Sequence, residues 1–554
     1  MDYRFNLLKL PLELRQMIYR AYLHADSGYI CDAEALFTGK LRGEAKCRLT
    51  QANNEPIDMA LVFTCKTVAT EMLRGGLALQ VNTVTFSTFY SHEFRLRARK
   101  FVMARENDLD GDRIEMMKYI GSCLQGPVYD ALKDAYPVFM PVVDHLKDGN
   151  PDPSEILPPY ASYGQAPSLY CEFVKFALQL AIRHYCEKFD EAMKQEFLDT
   201  FREGSPYIPA YHSLAFSKIE PWMIPTDDDF TEMTGYHGWP LELESSVNSW
   251  YLRTGDLSKY RWSAAVSAIH FLESLPPRHR AHLCNVILDE DRKAVSDPAG
   301  HGRGLIPFCQ QNPLLRIERR CNLWGNVLRA DEECSEPDMR NNPELTPTLL
   351  LKSDQISINV ARWIMEALAL EHHGMPAGSF SLLLDGDPAP GLCEDMFQKI
   401  VQRDVAWQLA RDEAHRRGHL PPKTWIERNG ENPWRNKMMQ DTAEADLGYI
   451  YEGFPQAMRD IAEGKSIVRC NFDVGVPWDV ERIVEERRGC SEQERNEDWF
   501  EHKPLFWQTV PPLPLWADCL REDVLPPDAN TSAGRGGFDE WLARWDESSD
   551  SEDE

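Results

Sequence analysis

Two clusters of carboxylates that follow predicted β-strands are the clearest candidates for chemistry in this chain. Asp289-Glu290-Asp291 follows a predicted strand over residues 284–288, and Asp385-Gly386-Asp387 follows another over residues 380–384. Ligands of open α/β sheets bind at the carboxyl ends of strands, and carboxylate oxygens are suitable ligands for Mg²⁺. If the two strands are neighbours, the four aspartates could support a metal-assisted enzyme: Asp289, Asp291, Asp385 and Asp387.

The same residues are also typical of solvated turns, and this is the interpretation that we favour. Asp385-Gly386-Asp387-Pro388 has the composition of a turn, because short polar side chains, glycine and proline all stabilise tight reversals of the backbone. A fold with strands and helices does not by itself indicate catalysis. The metal-assisted enzyme is therefore the less favoured alternative.

Three other stretches resemble ligand-binding motifs but do not match them. Residues 108–112 begin like an EF-hand loop, but Met117 occupies the position of the bidentate glutamate. Residues 300–304 (Gly-His-Gly-Arg-Gly) lack the spacing of a phosphate-binding loop, and we interpret them as a flexible loop. His372-His373 precedes Gly374, which is typical of a helix terminus. We predict no catalytic residue, no metal ligand and no cofactor.

The 14 cysteines are spaced singly, and no Cys-x-x-Cys pair occurs. Several of them lie inside apolar runs, as buried reduced thiols do: Cys65, Cys171, Cys186, Cys284 and Cys309. This pattern indicates neither a zinc framework nor a disulfide framework.

The elements that organise the chain begin with a helix near the amino terminus. Pro11 suits the first helical turn, because its fixed φ and missing N–H cost nothing there. Leu14, Ile18 and Tyr22 then recur at helical spacing, with Met17 beside them. This apolar stripe must be buried, either in the body of the protein or against a partner.

A second helix is predicted from about Asp58 to Leu73, and the strand Val81 to Phe86 follows it. An insert of about 30 residues, from Ala25 to Glu55, separates the two helices. It contains two short extended segments, residues 28–31 and 46–50, which we expect to pair as a small hairpin.

This arrangement resembles the F-box-like amino-terminal module of large fungal protein families. The resemblance lies in the LPxELRxxIY-type helix over residues 10–19, in residues 61–66 with Glu71 of the second helix, and in Asn82 of the strand. Three further segments resemble a block found in fungal F-box-like proteins: residues 285–292, 304–309 and 315–320. The family carries no known reaction, and its module implies binding to another protein.

The resemblance implies that the first helix contacts the adaptor subunit of a cullin-type ubiquitin ligase. The residues that would bind the adaptor are Leu10, Pro11, Leu14, Ile18 and Tyr19. The sequence leaves open the alternative that these side chains pack into the protein's own body.

A second candidate for partner binding lies near residue 540. Phe538, Trp541, Leu542 and Trp545 recur at i, i+3, i+4 and i+7, ahead of an acidic tail. A helix with this stripe either enters a partner's groove or folds back on its own domain, since both bury the same surface. The tail is expected to be disordered.

The balance of charge favours protein partners. Lys and Arg total 60 against 88 Asp and Glu, which gives a net charge of −28 at pH 7. Such a surface disfavours non-specific binding to nucleic-acid phosphates or to anionic membranes. No signal-peptide pattern or apolar run of bilayer length is visible. We therefore expect no nucleic acid and no membrane, and a location in the cytoplasm or nucleus.

The predicted fold class is mixed α/β, divided into four regions. Helices and strands alternate beyond residue 261, with strand centres at Ile287, Ile317, Leu350 and Leu383, and such strands should lie parallel. All 15 tryptophans lie at or beyond Trp222, which suggests a boundary. The regions are an F-box-like module with the inserted hairpin (1–90), a helical region (91–220), a tryptophan-containing α/β domain with parallel strands (221–525), and a linker, aromatic helix and acidic tail (526–554).

These features together predict a non-enzymatic interaction protein. The favoured function is an F-box-like substrate adaptor of a cullin-type ubiquitin ligase, with the α/β body binding a protein substrate. A structural scaffold whose terminal helix holds a partner is the alternative.

Overall fold

A computed structural model describes most of the chain as alternating helices and strands. The described residues are 7–41, 43, 48–52, 55–74, 76–148, 162–194, 211–235, 258–329, 351–429, 450–501 and 506–526. The strands are β1 (Tyr29–Cys31), β2 (Leu49–Gln51), β3 (Thr83–Ser87), β4 (Asn285–Glu290), β5 (Arg316–Asn322), β6 (Leu351–Lys352), β7 (Phe380–Asp385), β8 (Val468–Cys470) and β9 (Phe506–Trp507).

The helices surround these strands. In the first half they are α1 (Leu12–Leu23), α2 (Ala33–Leu41), α3 (Lys66–Arg74), α4 (Leu77–Val81), α5 (His92–Val102), α6 (Gly111–Tyr119), α7 (Pro127–Ala135), α8 (Met140–Lys147), α9 (Pro167–Ala192), α10 (Tyr211–Phe216) and α11 (Asp227–Gly235). In the second half they are α12 (Ala264–Ser274), α13 (Pro277–Arg280), α14 (Ile306–Gln311), α15 (Ser353–His372), α16 (Pro390–Met396), α17 (Gln402–Arg416), α18 (Trp425–Asn429), α19 (Phe454–Ala462), α20 (Val480–Glu486), α21 (Glu492–Glu501) and α22 (Trp516–Arg521).

A mostly parallel sheet organises the fold. Within the described residues it has seven strands in the order β2-β1-β3-β4-β5-β7-β8. The pair β1–β2 is antiparallel, and every other neighbouring pair in this sheet is parallel. The mixed α/β class is confirmed, and so is the parallel arrangement of the strands centred on Ile287, Ile317 and Leu383.

Only the end of the fourth predicted strand lies within the described residues, and it belongs to a different sheet. Leu350 lies outside the described residues, and the next two residues form β6, which pairs antiparallel with β9 in a separate two-stranded sheet. In the described part of this segment, residues 351–352, the pairing is therefore antiparallel and not the expected parallel one. A short apolar run shows that a segment is buried but does not identify the strand beside it.

The sheet crosses the boundaries that composition suggested. β3 pairs with β4 over five residue pairs, from Thr83 opposite Asn285 to Ser87 opposite Asp289. One cluster of buried side chains extends from Tyr29 to Leu520 and takes members from all three regions between residues 1 and 525. Residues 1–90 therefore do not form a body separate from residues 221–525, because β1, β2 and β3 complete the same sheet.

The predicted hairpin in the insert is present in a different setting. β1 and β2 pair antiparallel, with Tyr29 opposite Gln51, as expected. The connection between them contains the helix α2, and β1 also pairs parallel with β3. The insert therefore forms the edge of the main sheet.

A buried ion pair lies at the centre of the sheet. Residues alternate between buried and more exposed positions along β4 and β5, and this alternation turns Glu290 and Arg319 inward. Arg319 donates to Glu290 Oε1 from Nη2 at 2.6 Å and from Nε at 3.0 Å. The backbone N–H groups of Ala264 and Ala265, at the start of α12, donate to the same carboxylate. The negative charge of Glu290 is thus stabilised both by Arg319 and by the positive end of the α12 dipole.

Arg319 also holds the segment that follows β4. It donates to the carbonyls of Pro298 and Ala299, and its guanidinium lies 4.6 Å from the centre of the Trp363 ring. The two residues of the ion pair therefore connect β4, β5, α12, α15 and the segment that begins at Pro298. Because both side chains are almost fully buried, each depends on these partners for compensation of its charge.

The glycine-rich stretch interpreted as a flexible loop is instead a buried 3₁₀ helix over Pro298–Leu305. A Cβ added to Gly304 would lie 2.5 Å from Ile269 Cδ1 and 2.6 Å from Trp222 Cδ1. Glycine is needed here for close packing. His301 is buried in the same segment, accepts from the Ser263 hydroxyl and donates to the Ser296 carbonyl. Burial and the nearby charge of Arg319 lower the pKa of His301 to about 3.

Arg319→Met should strongly destabilise the fold. The substitution leaves Glu290 buried without its cation, and removing one partner of a buried pair costs about 3–5 kcal/mol. The measurement is the shift of the urea-unfolding midpoint of the full chain. Glu318→Gln is the matched control, because Glu318 points from the same strand towards solvent-accessible Arg320 and Arg469. The control should lose no more than about 1 kcal/mol, and equal losses in both variants would contradict a central role for the buried pair.

His301 should make stability depend on pH in the acidic range. The unfolded chain protonates this ring near its usual pKa of 6.5, whereas the folded protein does so only near a pKa of about 3. The unfolded state therefore binds the extra proton between these values, and stability falls as pH drops through that window, by up to about 1.4 kcal/mol per pH unit. Unfolding free energies of wild type and His301→Gln at several pH values test this. The slope should be smaller in the variant, and identical slopes would show that His301 is not responsible.

Candidate functional site

The amino-terminal helix α1 has one inner face and one outer face. Tyr19 and Leu23 are buried on the inner face. They belong to a small separate cluster with Val62, Val68, Met72 and Leu77. On the outer face, Leu14 is 46% exposed, Met17 65% and Ile18 37%. These three residues have i, i+3 and i+4 spacing and therefore share one side of the helix; we call them the α1 apolar face.

Glu71 of α3 fixes the orientation of α1. Arg15 donates to both oxygens of this carboxylate, from Nη2 at 2.6 Å and from Nε at 2.9 Å, and the Tyr19 hydroxyl donates to it at 2.9 Å. Arg15 also donates to the Leu10 carbonyl at 2.5 Å, just before the helix begins. Hydrogen bonds from Arg15 and Tyr19 hold the pKa of Glu71 below its usual value. A bidentate arginine–carboxylate pair is geometrically specific, so α1 has a defined rotation about its own axis.

Asn82 connects α1 to the main sheet. Its side-chain amide donates to the carbonyls of Leu23 and Ala78, and its oxygen accepts from the backbone N–H of Ala25, all at 2.8 Å. The side chain is buried and immediately precedes β3. The end of α1, the end of α4 and the start of β3 are therefore held by one residue.

The structure divides the predicted adaptor-binding residues between two environments. Leu14 and Ile18 lie on the outer face, Pro11 is exposed and Leu10 is half-buried. Tyr19, in contrast, is fully buried and bonded to Glu71. Tyr19 therefore does not offer a surface to a partner and instead fixes the helix. Phe538, Trp541, Leu542 and Trp545 lie outside the described residues.

The strand-end carboxylates do not come together as a metal site. β5 lies between β4 and β7, and Arg320 is paired in register with Asp289. Asp385 Oδ1 accepts from the Asn471 side chain at 2.7 Å and from the Asp387 backbone N–H at 3.0 Å, as in a turn. Within the described ranges, no three of these carboxylates form a group with metal-ligand spacing.

Asp289 nevertheless has an unusual environment. Burial and, to a smaller extent, the neighbouring Asp291 raise the pKa of Asp289 to about 6, although Arg320 opposes both effects. The Asp289 side chain lies at the carboxy-terminal end of β4. A cationic group bound beside it would favour its ionised form.

A different set of possible ligand atoms does come together. Cys186 and Asp190 of α9 meet His212 of α10, with one ligand atom of each lying within 4.8 Å of the others. Cys186 is exposed, so its prediction as a buried thiol is wrong. The spacing of Cys186 and Asp190 on one helix was a usable signal. The position of His212, 22 residues beyond Asp190, follows no ligand motif.

The comparisons with known proteins identify no relative. No family model, no curated protein and no solved structure matches this chain. In the part of the chain that the structure describes, no helix is both long enough and apolar enough to cross a membrane.

Glu71→Gln should loosen α1 without unfolding the body of the protein. The variant keeps the shape of the side chain but loses the charge-assisted bonds from Arg15 and Tyr19, so exchange of the α1 amide hydrogens should accelerate roughly tenfold or more. Site-resolved hydrogen exchange measures this, with β4 amides as the internal reference.

Glu13→Gln is the control, since Glu13 lies exposed in the first turn of the same helix. Because the pKa of Glu71 is lowered in the folded protein, its stabilising effect is present at neutral pH and disappears as pH falls through that lowered pKa. Unchanged exchange in Glu71→Gln would mean that other contacts fix the helix.

Proposed function

We propose that this chain is a non-enzymatic interaction protein whose α1 apolar face binds the adaptor subunit of a cullin-type ubiquitin ligase. The observation that carries the proposal is the exposure of Leu14, Met17 and Ile18 on a helix whose opposite face is fixed by Glu71. In this proposal the α/β body holds the protein substrate. The F-box-like resemblance supplies the identity of the partner.

The arrangement of α1 suits recognition of a helix face by a protein groove. Apolar side chains at i, i+3 and i+4 are the usual anchors in that mode of binding. Their helix is already folded and oriented, so association does not require ordering of the backbone, which lowers the entropic cost of binding. The face is also apolar within a strongly acidic chain, so burial of surface would supply most of the binding free energy.

The small separate core beneath α1 supports the same proposal. Tyr19 and Leu23 pack with residues of the α3–α4 segment, apart from the main cluster of the protein. The inward side chains of α1 therefore have intramolecular partners. The exposed residues of the outer face are not needed for that packing, which makes them available for intermolecular contact.

Leu14→Asp combined with Ile18→Asp should abolish adaptor binding. Two charges placed in an apolar interface would each require desolvation, so affinity should fall at least about 100-fold. The test is titration of the full chain with purified adaptor subunit by calorimetry. Both positions are exposed, so the melting midpoint should not change.

Leu314→Asp is the matched control, because Leu314 is 64% exposed and lies in the turn before β5, outside α1. This variant should bind the adaptor like the wild type. Absence of binding by the wild-type chain, or equal binding by the α1 double variant, would refute the proposal.

A further inference from the structure

We propose that Cys186, Asp190 and His212 form a binding site for a zinc-type divalent transition metal. Asp190 lies four residues after Cys186 on α9, so both side chains project from one side of the helix. His212 is the second residue of α10 and approaches from the neighbouring helix. The inference is independent of the function proposed for α1.

The backbone of α9 sets the position of Cys186. Tyr185 has φ −138° and ψ 44°, which interrupts the helix immediately before the cysteine. The Tyr185 hydroxyl donates to the Gln125 carbonyl at 3.2 Å, and this bond ties the interruption to the start of α7. The last turns of α9, which carry Cys186 and Asp190, therefore begin just after this interruption.

The three ligand atoms are already close to one another. His212 Nε2 lies 2.7 Å from Asp190 Oδ1, and Cys186 Sγ lies 4.0 Å from Asp190 Oδ2. All three ligand atoms lie within 4.8 Å of one another. Zinc bonds of about 2.0–2.3 Å at tetrahedral angles separate the ligand atoms by roughly 3.3–3.8 Å. The observed distances span this range, so coordination needs side-chain shifts of only about 1 Å.

Packing below the site orients the histidine. Phe189 is fully buried, and its ring meets the His212 ring edge-to-face with 5.7 Å between centroids. The imidazole is therefore supported on its inner side, while its Nε2 atom faces the carboxylate of Asp190.

The donor set selects the class of metal. A thiolate, an imidazole and a carboxylate together suit Zn²⁺ and its spectroscopic substitute Co²⁺, whereas Mg²⁺ and Ca²⁺ prefer oxygen ligands alone. Three protein ligands leave a fourth position for water or for an external ligand. When the metal binds, the Cys186 thiol releases its proton to solvent. His212 Nε2 gives up the proton that it donates to Asp190, Nδ1 carries the one proton of the neutral ring, and Asp190 binds as the carboxylate.

The exposure of Cys186 distinguishes the site from a simple surface ion pair. The hydrogen bond between His212 and Asp190 explains those two residues, whereas the thiol makes only a long contact of 4.0 Å with Asp190 Oδ2. Of the cysteines in the described ranges, the others are buried or half-buried, whereas Cys186 is exposed beside two further donors. A bound metal would also join α9 to α10, whose connecting residues 195–210 are not described.

The test is titration of the metal-free full chain with Co²⁺, followed in the near ultraviolet for the thiolate-to-cobalt charge-transfer band. We expect one equivalent of Co²⁺ to produce the band and Zn²⁺ to remove it by displacement. Cys186→Ser should eliminate the band, and His212→Gln should weaken binding by about 100-fold. A band that persists in Cys186→Ser, or no band in the wild type, would overturn the proposal.

Two exposed neighbours on α9 provide matched controls. His184→Gln and Glu187→Gln remove a possible ligand within two residues of Cys186 but leave the three proposed ligands in place. Both should bind Co²⁺ as the wild type does, and a loss in either would place the site elsewhere.

A second readout follows Cys186 itself. Its alkylation rate, resolved by mass spectrometry of peptides, should fall when Zn²⁺ is added to the wild type, and in His212→Gln the same fall should require about 100-fold more Zn²⁺. Alkylation of Cys186 that ignores Zn²⁺ in the wild type would refute metal binding at this thiol.

Discussion

A carboxylate inside a protein core requires several hydrogen-bond donors at once. The groups that donate to Glu290 come from several elements, and the rest of the fold depends on their positions. An unpaired charge at this depth would cost several kcal/mol, so every element that supplies a partner is constrained in position. Arg319 must face Glu290 from the adjacent strand, α12 must begin with its N–H groups towards the same carboxylate, and the 3₁₀ helix must direct its carbonyls to Arg319. This interaction specifies one register of β4 against β5 more strictly than apolar packing alone could.

The amino-terminal helices have a more local organisation that is nevertheless attached to the same sheet. Glu71 sets the rotation of α1, and Asn82 binds the end of α1 to the start of β3. β3 in turn lies beside β4, which carries Glu290. The α1 apolar face is thus presented by a rigid support whose base is the buried core of the protein. Such a support suits a recognition surface, because little conformational freedom is lost on binding.

Local patterns in the sequence predicted several helices and strands correctly, but they could not predict how these elements are arranged. The β-branched and apolar runs around Ile287, Ile317 and Leu383 predicted strands that the structure contains, and the helix predicted to open at Pro11 is present as α1 (Leu12–Leu23). The same reasoning could not pair β3 with a strand 200 residues away, because periodicity reports that a face is buried and not which neighbour buries it. At residues 300–304, glycine composition is equally consistent with an open loop and with packing too close for a Cβ. The site at Cys186 depends on His212, whose proximity arises only from the packing of two helices.

The pairing of β3 with β4 also has a consequence for synthesis of the chain. Thr83 and Asn285 are 202 residues apart, so β3 gains its inner neighbour only after β4 has left the ribosome. At about 5–20 residues per second this interval is roughly 10–40 s. During that time β1, β2 and β3 expose an unpaired parallel edge, the type of surface that attracts other strands and chaperones. The small cluster around Tyr19 has all its members between residues 19 and 77, so it can assemble early and shield that segment of the nascent chain.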